Sequence, residues 1–128
     1  MIPLLLAALV SEQRSDPVIL QRVEGVPASS VTAVYSARCP GSSDYVLRLR
    51  SSPTPSVEGL SGGTRAISAS DSRLFDSWLV GMRTVRSVQM DCNPRGPILY
   101  LAGPATDQPS RTIELNVAWI EGRLIRLP

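Results

Sequence analysis

Apolar and polar residues alternate along most of this chain, which is the pattern of half-buried β-strands. The odd positions of residues 31–39 are apolar, and in residues 44–50 the apolar positions also recur at every second residue. Because successive side chains of a strand point to opposite faces, each segment predicts a strand with one apolar face. The turn-forming residues 40–43 between them predict a hairpin. The register that aligns both apolar faces has three cross-strand pairs: Cys39 with Tyr45, Ala37 with Leu47, and Tyr35 with Leu49.

The same alternation predicts further strands at both ends of the chain: residues 18–23, 83–92, 97–102, 111–119 and 123–127. The last two strands are expected to form a hairpin. A loop of three residues, 121–123, gives two apolar cross-strand pairs: Trp119 with Ile125 and Val117 with Leu127. A two-residue loop would instead place Arg126 opposite Val117, so the longer loop is expected, with Gly122 able to take a left-handed conformation.

A helical period replaces the alternation in residues 69–82 and predicts one helix. Its apolar residues form a single stripe: Leu74, Phe75, Trp78, Leu79 and Met82. Ser68 and Asp71 fit the N-terminal capping box, with Ser70 or Asp71 as the alternative cap. Four polar residues are expected to face solvent: Asp71, Arg73, Asp76 and Ser77. We expect the apolar stripe to pack across the sheet as core, the alternative being a partner-binding face.

Residues 51–64 are rich in Ser, Pro and Gly, which break regular structure. They predict an unusually long surface loop, either continuous or interrupted by a short edge strand. Long loops in compact domains are often functional. This loop is therefore a candidate interaction site.

Together these elements predict a mainly β fold, namely a single antiparallel β-sandwich or open barrel of about seven strands with one inserted helix at residues 69–82. A two-layer α+β arrangement is the alternative. An immunoglobulin-like sandwich is less favoured, because Trp78, the tryptophan between the two cysteines, lies on the helix. The length of 128 residues corresponds to one domain, expected over residues 12–128.

Residues 1–11 contain an uncharged apolar run with the length of a secretory signal's apolar region, which is about half of a membrane span. No Arg precedes the run, and Ala8 and Ser11 are the candidate last residues before a cleavage site. We expect a signal peptide here, and no transmembrane span after processing. The alternative is an apolar segment that packs on the core or docks on a partner.

Cys39 and Cys92 are the two cysteines of the chain, and each ends a predicted strand whose apolar face points inward. This placement favours a disulfide between them over two buried free thiols. With the apolar segment at residues 1–11, it predicts a periplasmic or secreted protein, a cytoplasmic protein being the alternative.

All 13 basic residues are arginine, and the chain has neither lysine nor histidine. It therefore cannot form a Ser-His or Cys-His nucleophile, a His-bearing zinc site, a Schiff base or a P-loop. The pairs of carboxylates that a hydrolase would need are also poor, since Asp71 and Asp76 are five apart on the helix and would point in nearly opposite directions. We expect no catalytic role, no metal and no cofactor, and the net charge of +2 argues against nucleic-acid binding.

Arginines on predicted strands are the candidate binding residues. Arg48 and Arg50 lie on the same side of one strand, and Arg38 and Arg86 lie on the polar faces of others. On neighbouring strands these four would form a guanidinium patch for carboxylate or phosphate groups. The alternative is a solvated face on which they pair with residues such as Asp44 and Glu114.

The sequence thus predicts a small exported, non-catalytic binding protein. Its ligand would be a partner protein, an anionic envelope component, or a toxin or hydrolase that it inhibits. The second hypothesis is a cytosolic accessory domain that docks through residues 1–11, and the third is a carboxylate-dependent hydrolase.

Overall fold

The computed structural model describes residues 18–26, 30–40, 43–50 and 54–128. The predicted signal peptide at residues 1–11 lies outside them. Within these residues the chain forms nine strands and one helix: β1 (Val18–Val26), β2 (Ser30–Arg38), β3 (Tyr45–Arg50), β4 (Ser56–Gly62), β5 (Arg65–Ala66), α1 (Ala69–Leu79), β6 (Ser87–Asp91), β7 (Ile98–Pro104), β8 (Thr112–Ile120) and β9 (Arg123–Leu127).

The strands form two antiparallel sheets in which each strand pairs with its neighbours in sequence. The first sheet has the order β1-β2-β3-β4-β5 and the second the order β6-β7-β8-β9. The helix connects one sheet to the other along the chain. This arrangement confirms the predicted mainly β fold, as a sandwich with one inserted helix.

One apolar core lies between the inner faces of the two sheets and α1. Its least exposed residues come from all three: Leu47, Leu60, Phe75, Leu79, Leu99, Leu101 and Val117. Full burial of a Leu or Phe side chain contributes about 1.5–3 kcal/mol relative to exposure. These side chains therefore supply the main favourable term in the stability of the sandwich.

The predicted register of the β2–β3 hairpin is wrong by two residues. The observed pairs are Ala37 with Tyr45, Tyr35 with Leu47, and Ala33 with Leu49. A shift of two residues keeps the same side chains on the inner face, so the apolar pattern alone does not distinguish the two registers. Cys39 lies beyond the end of β2, where it is bonded to Cys92 instead of pairing with Tyr45.

The prediction of a long loop over residues 51–64 is wrong for Ser56–Gly62, which forms β4. Arg48 pairs with Gly59 and Leu49 pairs with Val57, so Glu58 is an extra residue in a β-bulge. The bulge places the buried residues Val57 and Leu60 three positions apart instead of two. The alternation that marks the other strands is therefore broken here.

The predicted three-residue loop of the β8–β9 hairpin is also wrong. Ile120 pairs with Arg123, which leaves Glu121 and Gly122 as a two-residue turn with φ values of 52° and 77°. Positive φ at both positions matches the twist that a tight hairpin needs. Arg126 accordingly lies opposite Val117, and its guanidinium carbon is 5.9 Å from the centre of the Trp78 ring on α1. This cation–π contact explains how an arginine fits on the inner face of an edge strand.

The helix confirms the predicted cap, since Ser68 Oγ accepts a hydrogen bond from Asp71 N at 3.1 Å. It ends at Leu79, before the predicted residue 82, although Met82 is still buried. Leu74 is the exception in the apolar stripe and is 41% exposed. The expectation that Asp76 faces solvent is wrong, because its carboxylate is partly buried against β4. None of the helices in the described part of the chain is long and apolar enough to cross a membrane.

The predicted disulfide is present and joins the two sheets. Cys39 follows β2 and Cys92 follows β6, and their Cα atoms are 5.6 Å apart. The bond closes a loop with a sequence separation of 53 residues. In the chain-entropy model such a bond contributes about 4 kcal/mol to stability.

Candidate functional site

A cleft of about 440 Å³ opens between the two sheets, at the end of the sandwich that carries the disulfide. The first sheet contributes residues from the start of β3 and the β4–β5 turn: Ser43, Tyr45, Gly62, Thr64 and Arg65. The second sheet contributes residues from the β6–β7 loop and the β8–β9 turn: Pro94, Arg95, Gly96, Trp119, Glu121 and Gly122. The volume falls within the range typical of small-ligand sites, roughly 300–1,000 Å³.

Two aromatic rings form the floor of the cleft. Tyr45 and Trp119 lie with their ring centres 6.5 Å apart and their planes at 78°, an edge-to-face contact across the two sheets. Trp119 is 3% exposed, and its Nε1 has no acceptor among the described residues and no contact with solvent. Tyr45 is 9% exposed, so the floor is closely packed and contributes only a small apolar area to the cleft.

The rim on the second sheet is a loop held by backbone hydrogen bonds. Asn93 accepts two of them, from Gly96 N to its carbonyl and from Arg95 N to its side chain, each at 3.0 Å. Arg95 O in turn accepts a bond from Glu121 N at 2.8 Å, which ties the loop to the β8–β9 turn. Gly96 has a φ of 148°, and a Cβ atom there would collide with the Trp119 carbonyl. These hydrogen bonds and the close backbone approach at Gly96 fix the conformation of the rim.

The charged groups of the cleft lie on its rim and are exposed. Arg95 Nε lies 3.2 Å from Glu121 Oε1. Arg65 lies across the cleft opening, near Gly122, where a Cβ atom would be 3.7 Å from Arg65 Nη1. Within the described residues, Arg65 forms no ion pair with an acidic residue. Two guanidiniums and one carboxylate leave the cleft with one net positive charge.

The charges and hydroxyl groups of the described cleft residues suit the binding of an anion. Arginine forms paired, charge-assisted hydrogen bonds with a carboxylate, and the Ser43 and Thr64 hydroxyls can add further bonds. Glu121 is the single carboxylate among the described lining residues. General acid–base hydrolysis of the two-carboxylate type would need a second one nearby.

The four arginines predicted as a binding patch do not come together. Arg48 and Arg50 share the outer face of β3. Arg50 is engaged by Glu58 on β4, with Nε and Oε1 2.7 Å apart. Arg38 lies at the far end of β2, opposite Val18, and Arg86 lies just before β6 in the other sheet. Arg38, Arg48 and Arg50 therefore lie on neighbouring strands, and Arg86 does not.

Residue patterns did not indicate the residues that form the cleft, apart from Gly62 and Thr64 in the expected interaction loop. Apart from Ser43 and Tyr45, the cleft is built around three turns that are distant in sequence, each containing glycine. An arginine stands in or next to each turn: Arg65, Arg95 and Arg123. This recurrence of arginine beside glycine was the available signal.

No group of three or more residues that could hold a metal ion occurs in the part of the chain that the structure describes. Comparison with known protein families, with curated proteins and with solved structures finds no match for this chain.

Proposed function

We propose that this chain is an exported, non-catalytic binding protein that holds an acidic segment of a partner protein in the cleft. The observation that carries the proposal is the position of Arg65 and Arg95 on the rim, above the apolar floor of Tyr45 and Trp119. Interfaces commonly use this pairing of arginine with aromatic residues.

The charge of the cleft favours a carboxylate over a phosphate. Glu121 neutralises one of the two guanidiniums, so the remaining single charge matches a carboxylate side chain better than a phosphate monoester, which carries about two charges at neutral pH. Gly122 at the rim, where a Cβ atom would have no neighbour closer than 3.7 Å, also leaves room for a peptide chain to lie close to it. An acidic peptide segment fits both features.

Export is supported by the disulfide and by residues 1–11. Disulfides persist in oxidising compartments and are rare in the cytosol. The apolar run has the length of a secretory signal's apolar region. A non-catalytic role is supported by the composition, since the chain has neither lysine nor histidine.

Binding can be followed through the fluorescence of Trp119. The chain has two tryptophans, so Trp78→Phe leaves the one in the cleft. The probe is a tetra-aspartate peptide with blocked termini, and a tetra-asparagine peptide serves as its uncharged match. We expect a saturable emission change with the first peptide and none with the second.

Matched arginine variants locate the interaction. Arg65→Gln should weaken binding of the aspartate peptide by about tenfold or more, because a charge-assisted hydrogen bond is lost. Arg73→Gln, which removes the same charge from an exposed position on α1, should leave affinity nearly unchanged. Equal effects of the two variants would reduce the interaction to net charge and overturn the proposal. Tighter binding of inorganic phosphate than of the aspartate peptide would also overturn the proposal. It would favour a phosphate-bearing envelope ligand instead.

Export is tested by intact mass after expression of the full chain in a bacterial host. We expect a periplasmic product shortened by about 8–11 residues, with both thiols blocked until reduction. A full-length cytosolic product with two free thiols would overturn export while leaving the cleft proposal to its own test.

A further inference from the structure

The outer face of the second sheet carries a polar groove around Tyr100, separate from the cleft. The groove has a volume of about 300 Å³ and lies over β6, β7 and β8. In the register of the sheet, Tyr100 is directly opposite Gln89 on one side and Asn116 on the other. The ring therefore has a side-chain amide beside each of its edges.

The ring is held in place by its hydroxyl. Tyr100 Oη donates a hydrogen bond to Asp91 Oδ2 at 2.9 Å. This bond, with smaller effects of burial and of the negative charge of Asp91, raises the pKa of the Tyr100 phenol. The hydroxyl is thus engaged within the protein at neutral pH, and the partly exposed ring remains as the surface that a ligand can contact.

The row next to Tyr100 shapes the groove. Ala102 lies between Ser87 and Glu114 across the three strands, and its small side chain leaves a depression beside the ring. Glu114 supplies an acceptor at the end of this row. No cation is among the described lining residues, so the groove offers no counter-charge to an anion.

We propose that this groove binds a neutral oligosaccharide. An aromatic face packs well against the apolar C–H face of a sugar ring. The amides of Gln89 and Asn116 can both donate and accept hydrogen bonds, and Glu114 accepts them, which suits hydroxyl groups that do both. The absence of a cation in the described lining disfavours acidic polymers. The ligand differs in charge from that of the cleft, so this site does not depend on the cleft's function.

The test is calorimetric titration of the oxidised protein with three neutral sugars: cellohexaose, maltohexaose and hexa-N-acetylchitohexaose. At least one of them should bind with a dissociation constant of about 1 mM or lower. Tyr100→Ala should weaken that binding by about tenfold or more, since it removes the stacking surface. Tyr100→Phe keeps the stacking ring but loses the hydrogen bond that holds it to Asp91, so it should weaken binding by less than Tyr100→Ala does.

Ile125→Ala is the matched control, because Ile125 is exposed on the same face but outside the groove. Unchanged unfolding curves of the variants would show that their folds are intact. Failure of all three sugars to bind at about 10 mM would overturn the proposal. Binding that survives Tyr100→Ala would overturn it equally, as would a preference for a peptide over every sugar.

Discussion

Asp76 Oδ1 on α1 accepts a hydrogen bond from Val57 N on β4 at 2.6 Å. One helical turn away, Ser72 Oγ donates a bond to Val57 O at 3.1 Å. Two side chains of the helix thus form hydrogen bonds with both backbone groups of Val57, in a part of β4 that does not pair with β5. Helix α1 takes the place of a strand along this edge and protects it from pairing with other chains.

Asp76→Ala is expected to lower the free energy of unfolding by about 1.5–3 kcal/mol, because Val57 N loses a charged acceptor in a partly buried place. Asp76→Asn keeps an acceptor oxygen and should lower the free energy of unfolding by a smaller amount. Arg73→Ala changes an exposed residue of the same helix and serves as the control in urea unfolding. Equal stability of the Asp76→Ala and Arg73→Ala variants would show that the bond contributes nothing.

Removal of the disulfide by combined Cys39→Ala and Cys92→Ala substitution is expected to lower stability by about 4 kcal/mol, because the unfolded chain regains its loop entropy. Urea unfolding of the oxidised protein and the variant measures the difference. Reductant should bring the unsubstituted protein close to the variant. The expectation fails if the oxidised protein and the variant unfold at the same urea concentration.

Gly122→Ala is expected to destabilise the protein by about 1–2 kcal/mol through backbone strain, because the residue has a φ of 77°. The space around it is open enough for a Cβ atom. Gly81→Ala is the matched control: it has an ordinary φ and a Cβ there would make only a 3.5 Å contact with Ile113. Thermal unfolding that ranks the two variants in the opposite order would contradict the observed turn.

The Tyr100 phenol should ionise at a higher pH in the folded protein than its ordinary pKa of 10.0. The hydrogen bond to Asp91 is the main cause, followed by burial and the charge of Asp91. Stability linked to this group is fully present below about pH 10 and is lost as the pH rises through the folded-state pKa. Asp91→Asn should move the ionisation of Tyr100 to lower pH.

Absorbance at the phenolate band follows this titration. Tyr35, whose pKa is raised by burial, lies in the other sheet and provides an internal reference. A Tyr100 titration that is the same with and without Asp91→Asn would contradict the assigned cause.

Residue patterns predicted those parts of the fold in which one local rule dominates. The alternation in β3 and β8, the cap at Ser68 and the inward-facing cysteines all appear in the structure. The pattern failed at β4, because the bulged Glu58 interrupts the alternation. It also failed at the β8–β9 turn, where the twist of the backbone favours a two-residue loop. Arg126 then lies on the inner face and makes a cation–π contact with Trp78.

The cleft could not be predicted from local patterns, because its residues belong to turns that only the packing of two sheets brings together. Arg65 and Arg95 are in different sheets, and Tyr45 meets Trp119 across the core. The four arginines of the predicted patch are divided between the two sheets for a related reason. Arg86 follows the helix and therefore belongs to the second sheet, whereas Arg48 belongs to the first.

The most direct test of the central claim is a titration of the ¹⁵N-labelled, oxidised protein with the tetra-aspartate peptide, followed by amide chemical shifts. We predict saturable shifts centred on Arg65, Arg95, Gly96 and Gly122, with helix α1 unaffected. Shifts centred on the Arg48 and Arg50 face, or no saturable shifts at all, would contradict the assignment of the cleft as the binding site.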